Sequence, residues 1–164
     1  MALFEAGHIG VQFRRDGQPF APFADVGFSL EAGCLYNLTG PSGSGKSTLL
    51  NACALMLPRS GGTLTLNATE DGVQADGDLT ISGGTFHVKT NGGHTTALTD
   101  DSASCKGFKA GKTLTVTGGT VNVDSADDAL HASTDVTISG GTLTLATGDD
   151  GVHADSDLVI GAKG

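Results

Sequence analysis

Two sets of residues in this chain have the types and spacing to do chemistry. The first is "GPSGSGKST", residues 40–48. Its G-x-x-x-x-G-K-S spacing is the Walker A pattern. Gly40, Gly43 and Gly45 allow a backbone that aims successive N–H groups inward, and with Ser42, Ser44 and Thr48 they form a cradle for phosphates. Lys46 is placed to reach β/γ oxygens and Ser47 to hold Mg²⁺, so this set predicts binding of ATP with Mg²⁺. The second set is carboxylate pairs, Asp127/Asp128 and Asp149/Asp150, at matching positions of two similar units, with Glu70/Asp71 at the matching place earlier. Asp135 and Asp157 form a second acidic column, with Asp78 before them. Carboxylates stacked about 5 Å apart repel by roughly 3–4 kcal/mol at an effective dielectric of 20, and by about 1 kcal/mol in water. Such a stack either calls for a counter-ion, for which Ca²⁺ with its 6–8 oxygen ligands is suited, or consists of solvated, turn-favouring aspartates screened by salt.

The elements that must position these residues differ between the two halves. "CLYNLTGPSGSGKSTLLNACALMLP" reads as a strand over Leu35, Tyr36 and Leu38, a glycine-rich loop, and a helix from about Lys46 that Pro58 stops. From residue 62 onward the chain is self-similar. "EDGVQADGDLTISGGTFHV", "CKGFKAGKTLTVTGGTVNV", "DDALHASTDVTISGGTLTL" and "DDGVHADSDLVIGAKG" superpose at intervals of 35, 22 and 22 residues. Val73, Phe108, Leu130 and Val152 align, as do Leu79, Leu114, Val136 and Leu158; Leu64, Phe86, Val121 and Leu143 form another apolar column. Apolar and polar residues alternate within each unit, which is strand patterning. The expected fold is therefore mainly β: a parallel β-helix of about 22 residues per coil, preceded by a truncated α/β P-loop segment. The longer interval is an insertion around "HTTALTDDSASCK", and the N-terminal segment is placed to cover the first coil.

Composition separates the same two halves. Residues 1–61 balance Glu5, Asp16, Asp25 and Glu31 against Arg14, Arg15, Lys46 and Arg59, so the net charge of −9 lies wholly in residues 62–164. An acidic surface without clustered Arg and Lys excludes nucleic acid as a partner. Cys34, Cys53 and Cys105 lack metal-ligand spacing and are read as reduced thiols. "MALFEAGHIG" shows no signal peptide, which predicts a cytoplasmic location for the chain as written, and "LLNACALML" is too short to span a bilayer.

The stretch "VQFRRDGQPFAPFADVGFSLEAGCLYNLTGPSGSGKSTLLNACALMLPRSGGTLTL" resembles the opening of an ABC transporter ATPase, over about residues 8–66. Where that family has an aromatic ring to stack on adenine, this chain has Arg15 near Phe13. Walker B, the signature motif, the Gln loop and the switch His have no counterpart, so the resemblance implies a nucleotide cradle without meaningful turnover. "DDGVHADSDLVI", "DDALHASTDVTISGGT", "SGGTF" and "TALTDD" resemble a family of bacterial carbohydrate-binding β-helix domains with fold kinship to pectate lyases. That resemblance implies an exported relative, and binding of an acidic polysaccharide such as polygalacturonate with calcium. Asp127, Asp128, Asp149 and Asp150 are the candidate calcium ligands. His131 and His153 share an outward column and either touch a ligand or are merely solvated. A calcium-dependent eliminase needs a base near the metal, and Lys106, Lys109 and Lys112 show no sign of being buried or tuned, so lyase activity is not expected.

The expected organisation is thus residues 1–61, a truncated ABC-type P-loop segment, joined near residues 58–62 to residues 62–164, a carbohydrate-binding-like β domain. A join inside the shared "SGGTLTL" pattern fits recombination, an engineered hybrid or a mis-assembled reading frame. Two functions follow: calcium-assisted binding of acidic polysaccharide, or nucleotide binding with the β domain as scaffold.

Overall fold

A computed structural model describes residues 2–53, 61–98 and 104–161. Strands β1 (Ala2–Arg15) and β2 (Gln18–Glu31) form an antiparallel hairpin. Asp16 and Gly17 make the turn, both with positive φ (52° and 78°), which matches the twist of a two-residue hairpin connection. The helix α1 (Lys46–Cys53) follows, its first hydrogen bond running from the Leu49 N–H to the Gly45 carbonyl at 2.8 Å. The expected stop at Pro58 and the expected join both fall outside the described residues, except for Gly61 and Gly62.

The remaining strands are β3 (Gly61–Ala68), β4 (Val73–Ala75), β5 (Leu79–Ile81), β6 (Thr85–Thr90), β7 (Phe108–Ala110), β8 (Leu114–Ser125), β9 (Leu130–Ala132), β10 (Val136–Thr147), β11 (Val152–Ala154) and β12 (Leu158–Ile160). They gather into two sheets. One has eight strands, in the order β12-β10-β8-β6-β3-β1-β2 with β5 paired to β8; the other has four, β11-β9-β7-β4. Among the described residues, pairing is parallel except for β1 with β2 and with β3.

This corrects the expected fold class. The chain is mainly β, but its strands form a mixed sheet and a smaller parallel sheet, not a parallel β-helix behind an α/β P-loop segment. The physical reason lies in the N-terminal hairpin. β1 docks antiparallel on β3, with Phe4 opposite Leu66 and Ala6 opposite Leu64, and so continues the long sheet. No strand forms over Leu35, Tyr36 and Leu38, which stay 100%, 49% and 45% exposed. A buried P-loop strand needs parallel neighbours on both sides, and the hairpin residues that precede it are already paired elsewhere.

Side chains from both regions fill one interior. Ala6, Ile9, Val11 and Ala52 join Leu64, Phe86, Phe108, Leu114, Val121, Leu130 and Val136 in a single apolar cluster. Residues of the first region thus share the interior of the strands that follow. Leu64 pairs with Phe86, Phe86 with Val121, and Val121 with Leu143, so residues aligned in the sequence lie in register across the long sheet. Phe86 and Phe108 meet edge to face between the two sheets, ring centroids 5.7 Å apart. Gly62 marks the docking of the hairpin: its φ is +103°, and a Cβ there would lie 2.7 Å from the His8 carbonyl oxygen.

Candidate functional site

The glycine loop is an exposed turn at the start of α1. Gly40, Gly43 and Gly45 all have positive φ (146°, 79° and 88°), so the loop does use the freedom its glycines supply. Lys46 Nζ folds back on it, donating to the carbonyl oxygens of Gly40 at 2.8 Å and Pro41 at 2.7 Å, and to Ser44 Oγ at 3.3 Å. A cavity of about 320 Å³ lies beside it, lined by Phe23, Val26, Leu38, Gly40, Lys46 and Leu49. Ser42 and Ser47 are exposed, Thr48 half-buried. Among the described residues, the groups of His and carboxylate side chains close enough to share an ion lie elsewhere, at the acidic corner.

That corner follows β8 and leads into β9. Asp127 and Asp128 are buried there, while Asp149 and Asp150 are exposed in the next layer. Carboxylates of Asp127, Asp128 and Asp149 come within 4.8 Å of one another. The expected acids are thus brought together, but a lysine lies among them. Lys106 Nζ is 2.9 Å from both Asp127 oxygens and 2.9 Å from Asp128 Oδ2, with its side chain only 15% exposed. The expectation of an unburied Lys106 is therefore corrected. Burial pulls its ammonium down, yet the hydrogen bonds to Asp127 and Asp128 outweigh that and hold it above its ordinary value. For Asp127, burial pushes the carboxyl up, and Lys106 with the N–H groups of Asp128 and Cys105 brings it below its ordinary value. The same exchange recurs one layer away, where Asp71 takes hydrogen bonds from Ser104 Oγ (2.7 Å), the Lys106 N–H (2.9 Å) and Lys109 Nζ (3.0 Å).

Both histidines of the outward column join this network. His131 Nδ1 lies 3.0 Å from Asp128 Oδ2 and His153 Nδ1 3.1 Å from Asp150 Oδ2, and the two rings stack at 4.9 Å. His153 also meets Asp155 at 3.1 Å, and these two carboxylates, Asp150 first, raise its pKa above the ordinary 6.5. The second acidic column serves the backbone: Asp78 accepts the Thr113 N–H and Asp135 the Asp157 N–H, each at 3.2 Å.

A third feature was not singled out by sequence reasoning. On the long sheet a shallow groove of about 220 Å³ crosses β3, β6, β8 and β10. Strand register sets Thr65, His87, Asn122 and Thr144 in one row, and Asn67, Lys89 and Asp124 in the next. Asn122 Nδ2 lies 3.4 Å from His87 Nδ1. Lys89 Nζ donates to Asp124 Oδ2 at 2.8 Å, and His94 holds Asp124 Oδ1 through its N–H (2.9 Å) and Nδ1 (2.7 Å). Lys89 first, then His94, hold the Asp124 carboxyl well below its ordinary value. The signal lies in the polar half of the alternation "TLTLN", "TFHVK", "TVNVD", where His87, Lys89, Asn122 and Asp124 interrupt the threonines.

A profile for carbohydrate-binding domain-containing proteins matches residues 56–151, more than half of the chain, and takes in both the groove and the acidic corner. The chain belongs to this family. Curated proteins of a different kind also match part of the chain. A cytochrome c biogenesis ATP-binding export protein CcmA of Mesorhizobium japonicum is 52% identical over 46 residues, 28% of this chain and 23% of the relative. A methionine import ATP-binding protein MetN of Streptococcus pyogenes is 29% identical over 90 residues, 55% of this chain and 23% of the relative. A putative ABC transporter ATP-binding protein YjkB of Bacillus subtilis is 38% identical over 58 residues, 35% of this chain and 23% of the relative. The chain thus spans under a quarter of the length of those relatives. No solved structure matches it. Among the described residues, no helix is long and apolar enough to cross a membrane.

Proposed function

We propose that this chain binds an acidic polysaccharide along the groove of the long sheet. One observation carries the reading: hydroxyl, imidazole and amide side chains stand in a single row on adjacent strands at Thr65, His87, Asn122 and Thr144, with Lys89 beside them. Strands repeat at about 4.8 Å, close to the length of one sugar ring, so successive rings meet successive strands. Asn122 and His87 donate to and accept from hydroxyls, and Lys89, shared with Asp124, offers a carboxylate partner. Asp124 is three residues from Asp127, so a chain that overruns the groove approaches the acidic corner. There the exposed pair Asp149 and Asp150 is the place for a Ca²⁺ that bridges protein and sugar carboxylates. The join of two unrelated segments near residues 58–62 remains part of this reading. Affinity electrophoresis in polygalacturonate tests it: retardation is expected for the wild type, weakened by EGTA and lost in Asn122→Ala. Equal mobility with and without the polysaccharide overturns it.

A second reading, weak nucleotide binding, is favoured by one observation: Lys46 turns into the glycine loop, where a phosphate would exchange for the carbonyls it now contacts. Calorimetric titration with ATP and Mg²⁺ should give weak heat that Lys46→Ala removes, with no steady hydrolysis. Steady hydrolysis abolished by Lys46→Ala contradicts the expectation of binding without turnover.

A further inference from the structure

We infer that Lys106 is a built-in counter-cation which takes the place of a metal ion in the inner half of the acidic corner, so that this half is metal-independent. Glu70/Asp71, Asp127/Asp128 and Asp149/Asp150 occupy one column, and the chain departs from it once, with Cys105/Lys106. That departure puts an ammonium, not a carboxylate, next to Asp127 and Asp128.

The residues of the inner pair do not suit a calcium ion as they stand. Ca²⁺ needs several oxygens with open lone pairs at about 2.3–2.6 Å. Here both Asp127 oxygens accept from Lys106 Nζ, with Oδ1 also taking the Asp128 N–H at 2.8 Å and Oδ2 the Cys105 N–H at 3.3 Å. Asp128 Oδ1 accepts the Asp150 N–H at 3.1 Å, and Oδ2 faces Lys106 Nζ and His131. Every oxygen of the pair is therefore committed to an N–H donor. An ion would have to expel an ammonium whose own charge repels it. Asp149 and Asp150 are exposed and make none of these lysine bonds; Asp150 Oδ2 faces His153 at 3.1 Å, so in the outer half Asp149 and the other Asp150 oxygen are the groups left for a cation.

The inference rests on the geometry of the corner and leans on the calcium reading above only for that outer half. Thermal unfolding of the full chain in EGTA and in millimolar Ca²⁺ tests it, with Lys106→Met and Lys106→Arg beside the wild type. Lys106→Met is expected to lose roughly 5–10 °C in EGTA and to recover most of it in Ca²⁺, which then fills the vacated place. Lys106→Arg should unfold near the wild-type temperature in EGTA. If Lys106→Met folds only when calcium is present during refolding, the inference stands. It fails if Lys106→Met matches the wild type in EGTA, or if its loss, or its failure to fold, is unrelieved by Ca²⁺. The wild type's own calcium response reports separately on Asp149 and Asp150, and so on the function proposed above.

Discussion

The hairpin with its glycine loop and the parallel strands after residue 61 solve the same problem in different ways. Both must bury apolar side chains from short segments. The parallel strands do so against copies of their own pattern: Leu64, Phe86, Val121 and Leu143 lie side by side, and the first three are almost fully buried. The first region has no copy of itself, so β1 borrows the edge of β3 and buries Ala6, Ile9 and Val11 in its neighbour's interior. Beyond the hairpin the cover is partial: Ala52 reaches the same interior and Leu49 packs against it, but Leu35, Tyr36, Leu38 and Leu50 are left in solvent. A phosphate-loop sequence thus keeps its local turn and the start of its helix but not the sheet that would hold it rigid. The lesson is that a motif carries its own backbone conformation with it, whereas a site needs neighbours.

The largest expected effect sharpens this contrast. Phe108→Ala, at the junction of the two sheets, should lower stability by about 3–5 kcal/mol in urea unfolding. Leu50→Ala, on the exposed face of α1, should stay within about 0.5 kcal/mol. Equal costs would mean that the first region is as well packed as the second. A smaller effect probes the seam. Gly62→Ala forces a side chain into a left-handed conformation and against the His8 carbonyl, and should cost about 1–3 kcal/mol, freeing the hairpin first. Hydrogen exchange that accelerates in β1 and β2 ahead of β8 is the expected signature; uniform acceleration would mean that the hairpin and strands unfold together.

Acid should strike the strands through their buried pairs. Asp71 and Asp127 have folded values below the ordinary 3.8, so the stability they contribute is complete above that value and is lost as pH falls through the folded values. Lys106 lies above its ordinary 10.5, and its contribution is lost only as pH rises through the higher folded value. A melting temperature that is level from about pH 5 to about pH 9, save for a slight slope from His153, and falls below about pH 4 is expected. The smallest effect belongs to His153. Its raised value means stability present below pH 6.5 and lost as pH climbs through the folded value, a slight slope that His153→Gln should flatten.

Much of this was legible in the sequence. Alternation gave the strands, and equal spacing gave the residues that pair, since Val136 meets Leu114 and His153 meets His131. The Gly43–Lys46 spacing gave the loop and the start of the helix. What escaped was set by neighbours distant in sequence. Nothing local in "ALFEAGHIGVQFRR" says that it will pair with Gly61–Ala68, so the sheet it completes was hidden. The aspartates are legible as a column, but that Lys106, standing in the same column, turns its ammonium onto Asp127 and Asp128 is set by the fold. The groove was missed because its residues are ordinary singly and gain meaning only in register.

The proposed working surface of this chain is the long sheet, not the glycine loop. Hydrogen exchange read by mass spectrometry, with polygalacturonate or with ATP and Mg²⁺, compares the two surfaces in one protein. Protection of residues 63–67, 85–89 and 120–124 by the polysaccharide, with residues 40–48 unaffected by it, is the predicted result. Protection by the polysaccharide confined to residues 40–48, or absent from the strands altogether, would contradict the account.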